Sequence, residues 1–167
     1  MKKLTFIALL LSCFLLTAKS SFAQDVTPDY KIAAGLKFGG YENGLSVKYF
    51  MNSTTALEGI LGIRNHGAVV TGLYELHQQI FNAEGLRLYY GAGAHIGAVG
   101  RGEFKTFGDD KYYNSNRILI GADGVLGLEY KIPEAPIAIS LDINPRLELA
   151  TGPFFDLAPG LGLKYTF

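Results

Sequence analysis

The sequence predicts an all-β chain: an up-and-down antiparallel transmembrane β-barrel of about eight strands. Three observations predict it. Beyond residue 23, apolar residues recur at every second position through most of the chain, the period of a strand. The chain is 49% hydrophobic with 21 Gly, 10 Tyr and 11 Phe, yet beyond residue 23 no apolar run is long enough to cross a bilayer as a helix. The face opposite the apolar one carries glycines, small residues and isolated charges of both signs, which suits a lumen that side chains must fill.

Residues 1–23 differ in kind. Lys2 and Lys3 precede an apolar run from Leu4 to Leu16, and the stretch ends in Ser21-Phe22-Ala23. A basic start, a short apolar centre and a small-x-small ending predict a signal peptide cleaved after Ala23, leaving 24–167 as the barrel domain. The run is short for a membrane-anchoring helix, which needs about 20 residues. Leu10-Leu11-Ser12-Cys13 faintly matches a lipidation signal, but the apolar Phe14-Leu15-Leu16 follows where a lipidated end would turn polar. Cys13 is the one cysteine, so the expected mature chain forms no disulfide.

The strands follow in order. The first sets Ile32, Ala34, Leu36 and Phe38 against Ala33, Gly35 and Lys37. The second sets Leu45, Val47, Tyr49 and Met51 against Ser46 and Lys48. The third sets Leu57, Gly59, Leu61 and Ile63 against Ala56, Glu58, Ile60 and Arg64. The fourth sets Val70, Gly72, Tyr74 and Leu76 against Thr71, Leu73, Glu75 and His77. The fifth sets Leu86, Leu88, Tyr90, Ala92, Ala94 and Ile96 against Arg87, Tyr89, Gly91, Gly93 and His95. The sixth sets Ile118, Ile120, Leu126, Leu128 and Tyr130 against Asp123, Val125 and Glu129. The seventh sets Ile137, Ile139, Leu141 and Ile143 against Ser140, Asp142 and Asn144. The last sets Leu157, Pro159, Leu161, Leu163, Tyr165 and Phe167 against Gly160, Gly162 and Lys164. Strands of about 9–12 residues match a tilted bilayer crossing.

Connections after the second, fourth and sixth strands read as tight. Long loops are expected at Gly100–Asn116 and about Pro145–Asp156. Short turns on one side and long loops on the other place both termini in the periplasm. Tyr49, Tyr90, Tyr130, Tyr165 and Phe167 fall on the apolar face near the periplasmic ends, as an interfacial girdle does. Phe38, Phe104 and Phe107 are candidates for the outer one.

The ending Leu161-Gly162-Leu163-Lys164-Tyr165-Thr166-Phe167 resembles the C-terminal signal of bacterial outer-membrane proteins, an alternating strand closed by Phe. Leu161, Leu163, Tyr165 and Phe167 carry the match. The resemblance implies recognition by the barrel-assembly machinery during insertion. The whole expected mature chain is similar in pattern to the small eight-stranded outer-membrane proteins of the OmpA and OmpX type. That implies a Gram-negative cell outer membrane as its place, with lipid around it.

The inward polar set is Lys37, Lys48, Glu58, Arg64, Glu75, Arg87, His95, Asp123, Glu129, Asp142, Arg146 and Lys164. Mixed charges in a narrow lumen must pair, because an unpaired buried charge costs several kcal/mol. A rigid lumen network is therefore expected, and no catalytic role. His95, Asp123 and Ser140 lie inward on consecutive strands, the ingredients of a hydrolase triad. No His-x-Ser motif of the kind barrel deacylases carry accompanies them: Ala68, Gln79 and Gly97 stand two after His66, His77 and His95. Asp109-Asp110 lacks any EF-hand-like spacing, so no metal or other cofactor is expected. The precursor carries 15 basic and 15 acidic residues and no basic block, which excludes electrostatic nucleic-acid binding. The reading is a monomeric, non-enzymatic barrel with a structural or surface-interaction role, its loops 100–116 and 145–156 being the place for a ligand. A narrow solute channel, a lipid A-modifying enzyme and a soluble ligand-binding barrel are the alternatives.

Overall fold

The structure, a computed structural model, describes residues 30–39, 43–64, 67–81, 83–104, 111–113, 115–150 and 154–167. The expected signal segment 1–23, His66, Phe107 and Asp109-Asp110 lie outside these, as do the side chains of Arg64, Phe104, Tyr112 and Tyr113. The strands are β1 (Ile32–Gly39), β2 (Asn43–Phe50), β3 (Thr55–Arg64), β4 (Gly67–Gln79), β5 (Leu86–Val99), β6 (Gly102–Phe104), β7 (Lys111–Tyr113), β8 (Arg117–Lys131), β9 (Ile137–Glu148) and β10 (Phe154–Thr166). Eight of them close a barrel in the order β1-β10-β9-β8-β5-β4-β3-β2, and β6 pairs only with β7. Every pairing is antiparallel.

Closure comes from both ends of the chain. Phe167 N donates to Ile32 O at 2.8 Å, and Lys31 N donates to Phe167 O at 3.1 Å. The register then fixes the tilt. It runs from Ala33 through Lys48, Glu58, Leu73, Gly93, Asp123 and Arg146 to Asp156. The β1–β10 ladder pairs Gly39 with Gly160, so Asp156 falls opposite position 43, a stagger of ten residues. Stagger of this kind obliges the strands to tilt by roughly 35–45° and leaves an eight-stranded lumen just wide enough for side chains.

Alternation divides the faces. Lys48, Glu58, Glu75, Tyr89, Glu129 and Lys164 are buried inside, while Leu45, Leu61, Val70, Ile96, Leu141 and Leu163 are exposed outside. Among the described residues, no outward position of the eight barrel strands carries a charged side chain. Tyr49, Tyr90, Tyr130, Tyr165 and Phe167 all lie outside, at the end holding the termini. Phe38 is outside near the opposite end, joined there by Phe155.

Turns follow their residues. Asn52 Oδ1 accepts from the amides of Thr54 at 3.0 Å and Thr55 at 2.8 Å, closing the β2–β3 turn in the Asx manner. Gly85, at φ 78°, turns the chain into β5, where a Cβ would also meet Lys131 O at 2.3 Å.

Two loop expectations are corrected. The 145–156 loop shrinks to 149–153, because the β9–β10 ladder continues to the pair Glu148↔Phe154. Pro145 reads as a loop residue, yet it sits within β9. Its missing N–H falls where the β8–β9 ladder is interrupted, between Asp123↔Arg146 and Leu126↔Ile143. Gly124 makes room beside it: a Cβ there would stand 2.8 Å from Pro145 Cγ. The Gly100–Asn116 loop is not wholly irregular, since it contains the β6–β7 hairpin. The eight barrel strands run from 8 to 15 residues, a wider spread than expected.

Candidate functional site: the charged lumen

Lys48 is the hub of the half of the lumen nearest the termini. Its Nζ lies 2.9 Å from Glu75 Oε2, 2.9 Å from Glu129 Oε2 and 3.2 Å from Glu58 Oε2. One ammonium thus holds carboxylates from β3, β4 and β8. Glu58 is further held by Lys164 Nζ at 3.1 Å and by the Ser46 hydroxyl, which donates to Oε1 at 2.6 Å. Lys48 also sits over the Tyr89 ring, 4.3 Å from its centroid. All of these groups are at most 2% exposed. A charge so enclosed is tolerated only because its partners surround it.

Beneath this hub stands a column of rings. Tyr30 meets Phe50 edge-on at 5.3 Å between centroids, Phe50 meets His77 at 4.8 Å, and His77 stacks on Tyr89 at 5.1 Å. The column fills the terminal mouth of the barrel. Its polar tips join the charges: Tyr30 OH donates to Glu129, Tyr89 OH donates to Asp142, and His77 Nε2 lies 3.0 Å from Glu75. Burial, and then the Glu129 carboxylate, push the Tyr30 hydroxyl well above the usual phenol range, so it remains a donor. Arg87 lies over the Phe50 ring at 5.7 Å. Asp142 also accepts from Lys37 Nζ at 3.0 Å and from Asn144.

A second cluster occupies the opposite half. His95 Nδ1 lies 2.7 Å from Asp123 Oδ2, and His95 Nε2 lies 3.1 Å from Glu148 Oε2. Arg146 Nε donates to Asp123 Oδ1 at 2.6 Å, and its Nη2 donates to Thr71 Oγ1 at 3.2 Å. Glu148 Oε1 accepts from the amides of Ile120 at 3.0 Å and Ala150 at 3.1 Å, tying the end of β9 to β8.

The lumen set read from the sequence therefore separates into two clusters. Glu58, Glu75, Glu129, Asp142 and Lys164 belong to the first, with Arg87 at its edge; His95, Asp123 and Arg146 belong to the second. Tyr30, Phe50, Tyr89, Glu148 and Asp156 were not singled out as site residues. Tyr89 and Phe50 had an inward parity that signalled them. Glu148 and Asp156 fall in the stretch that reads as a loop. Tyr30 precedes the first strand, so no alternation marked it.

The triad does not assemble. Ser140 lies eight residues along β9 from Glu148, on the order of 26 Å of strand at ~3.3 Å per residue. Both His95 nitrogens are occupied by carboxylates, so neither is turned to a hydroxyl nucleophile. Among the described residues no group of three or more His, Cys, Asp or Glu is placed to hold a metal ion.

Gly127 is packed by side chains and backbone together. A Cβ there would lie 2.6 Å from Asp142 Cβ, 2.7 Å from Leu141 O and 2.7 Å from Tyr89 Cζ. Gly127→Ala is expected to cost about 1–3 kcal/mol, the usual penalty of overpacking, read as a lower urea midpoint. Gly72→Ala is the control, since a Cβ at that outward position meets nothing within 4 Å; it should leave the midpoint unchanged or raise it.

An eight-stranded antiparallel barrel of this kind has a counterpart among solved structures. The chain is similar to the N-terminal β-barrel domain of Pseudomonas aeruginosa OprF. The TM-score is 0.56 at 21% sequence identity, over 81% of this chain and 95% of that one. The likeness to OprF is one of fold. No protein-family model matches the chain, and no curated protein matches it.

Proposed function

We propose that this protein is a non-enzymatic outer-membrane β-barrel, exported by a signal peptide cleaved after Ala23, with a structural or surface-interaction role. One observation carries the reading: across eight strands the outward positions hold no charge, while the lumen holds buried charges. A soluble barrel needs the inverse, apolar inside and polar outside. An apolar exterior of this extent is a liability in water and a requirement in lipid.

The tyrosines at the terminal end support a girdle at one interface. Leu161, Leu163, Tyr165 and Phe167 form the outward side of β10, where the barrel-assembly machinery would read them. The termini then face the periplasm and the β6–β7 loop faces outside, offering a place for a surface ligand. The filled lumen favours a closed structural barrel over a solute channel. The fully engaged His95 disfavours a lipid-modifying enzyme.

The test is fractionation followed by gel migration with and without boiling. Recovery in the outer membrane with a heat-modifiable band is the expected result. Recovery in the soluble periplasm without a shift would overturn the proposal. In planar bilayers the folded protein should show no porin-sized conductance steps.

A further inference from the structure

Between the two charged clusters lies a cavity of about 40 Å³, with Lys37, Thr71, Asp123 and Arg146 among its polar lining. A water needs roughly 10–15 Å³ of such space and two to four polar partners. The cavity has room for about three waters and the groups to hold them. Ile60 and Leu73 line it too. These two belong to a buried apolar cluster with Tyr89 and Val125, drawn from β3, β4, β5 and β8. On the other side of that cluster Tyr89 carries Lys48 over its ring.

The facing wall is closed by other means. Asp142, bonded to Lys37 and to the Tyr89 hydroxyl, fills the space that glycines leave. A Cβ on Gly160 would stand only 2.2 Å from Asp142 Oδ1. An apolar plate is a stronger barrier to hydrated ions than a ring of paired charges, because it offers nothing to replace hydration.

We propose that the lumen is divided by this plate: a hydrated chamber that small polar solutes enter from the loop end, and beyond it a dry, sealed charge network. The ion pairs around Lys48 then hold the barrel together, and the plate Ile60–Leu73–Tyr89–Val125 stops solutes. The proposal rests on the membrane-barrel reading, from which it takes the direction of entry.

Cysteine mapping tests it. In a full-length Cys13→Ser background, Thr71→Cys places a thiol at the chamber. Ser140→Cys places one beyond the plate, where the Ser140 hydroxyl has no hydrogen-bond partner among the described residues to lose. The probe is a small membrane-impermeant cationic methanethiosulfonate, applied to outer membranes holding a heat-modifiable barrel. Thr71→Cys should react, and Ser140→Cys should react at least tenfold more slowly. Adding Leu73→Ala to Ser140→Cys should bring its rate to within about threefold of Thr71→Cys. An unreactive Thr71→Cys, a reactive Ser140→Cys with the plate intact, or a Leu73→Ala barrel that folds and stays closed would each overturn the proposal. Should Leu73→Ala fail to fold, the two single thiols still decide it. Absence of a heat-modifiable band in the parent protein would instead refute the membrane reading.

Discussion

Lys48→Met is expected to destabilise the barrel by about 3–5 kcal/mol, the cost of breaking a buried ion pair by removing one partner. The methionine keeps the side chain as far as Cε and removes the ammonium. Glu58, Glu75 and Glu129 then face one another with their shared cation gone. Lys164 and the Ser46 hydroxyl still hold Glu58, and Tyr30 still donates to Glu129, so neither carboxylate is left without a partner. Among the described residues Glu75 keeps only His77 beside it, so the loss centres there. Urea unfolding followed by the heat-modifiable band would measure it. Adding Glu75→Gln and Glu129→Gln should recover most of the loss, since neutral amides no longer need the ammonium. A loss below about 1 kcal/mol, the scale of an exposed pair, would show that Lys48 is not the hub.

Leu141→Arg is expected to cost about 2–4 kcal/mol in lipid, the penalty for a cation on the outer face at mid-bilayer. Leu141 is 61% exposed, in the middle of β9, opposite Leu161 and Leu128. The same change on a barrel standing in water would fall within about 0.5 kcal/mol, as surface substitutions do. The two environments thus predict different magnitudes for one substitution. Refolding into vesicles with a urea series would read it. A neutral or stabilising Leu141→Arg would turn the apolar face toward some covering other than lipid.

Parity explains what was legible in advance. A residue's side of a strand follows from its position alone, so Glu58, Glu75, His95, Asp123 and Lys164 could be assigned inward before any neighbour was known. The same logic failed where a local signal overrode it. Pro145 suggested a loop, which hid Glu148 and Asp156. The proline is in fact admitted by an interrupted ladder and by Gly124 beside it. That accommodation depends on a neighbouring strand, and no window around Pro145 contains it.

The triad illustrates the converse. His95, Asp123 and Ser140 share a face, but a shared face says nothing about height in the barrel. Height follows from the stagger, the sum of every pairing around the circumference. Tyr30 and Glu129 are 99 residues apart in sequence, yet their side chains are bonded.

Alternation and composition by themselves determined that this chain forms strands, how many of them close the barrel, and which side chains share a face, because a strand's two-residue period is local. Only the tertiary structure decided that Lys48 gathers three carboxylates, that His95 bridges Asp123 and Glu148, and that an apolar plate lies between the two clusters. Those contacts join strands distant in sequence at heights set by barrel closure, and closure is a property of all eight strands together.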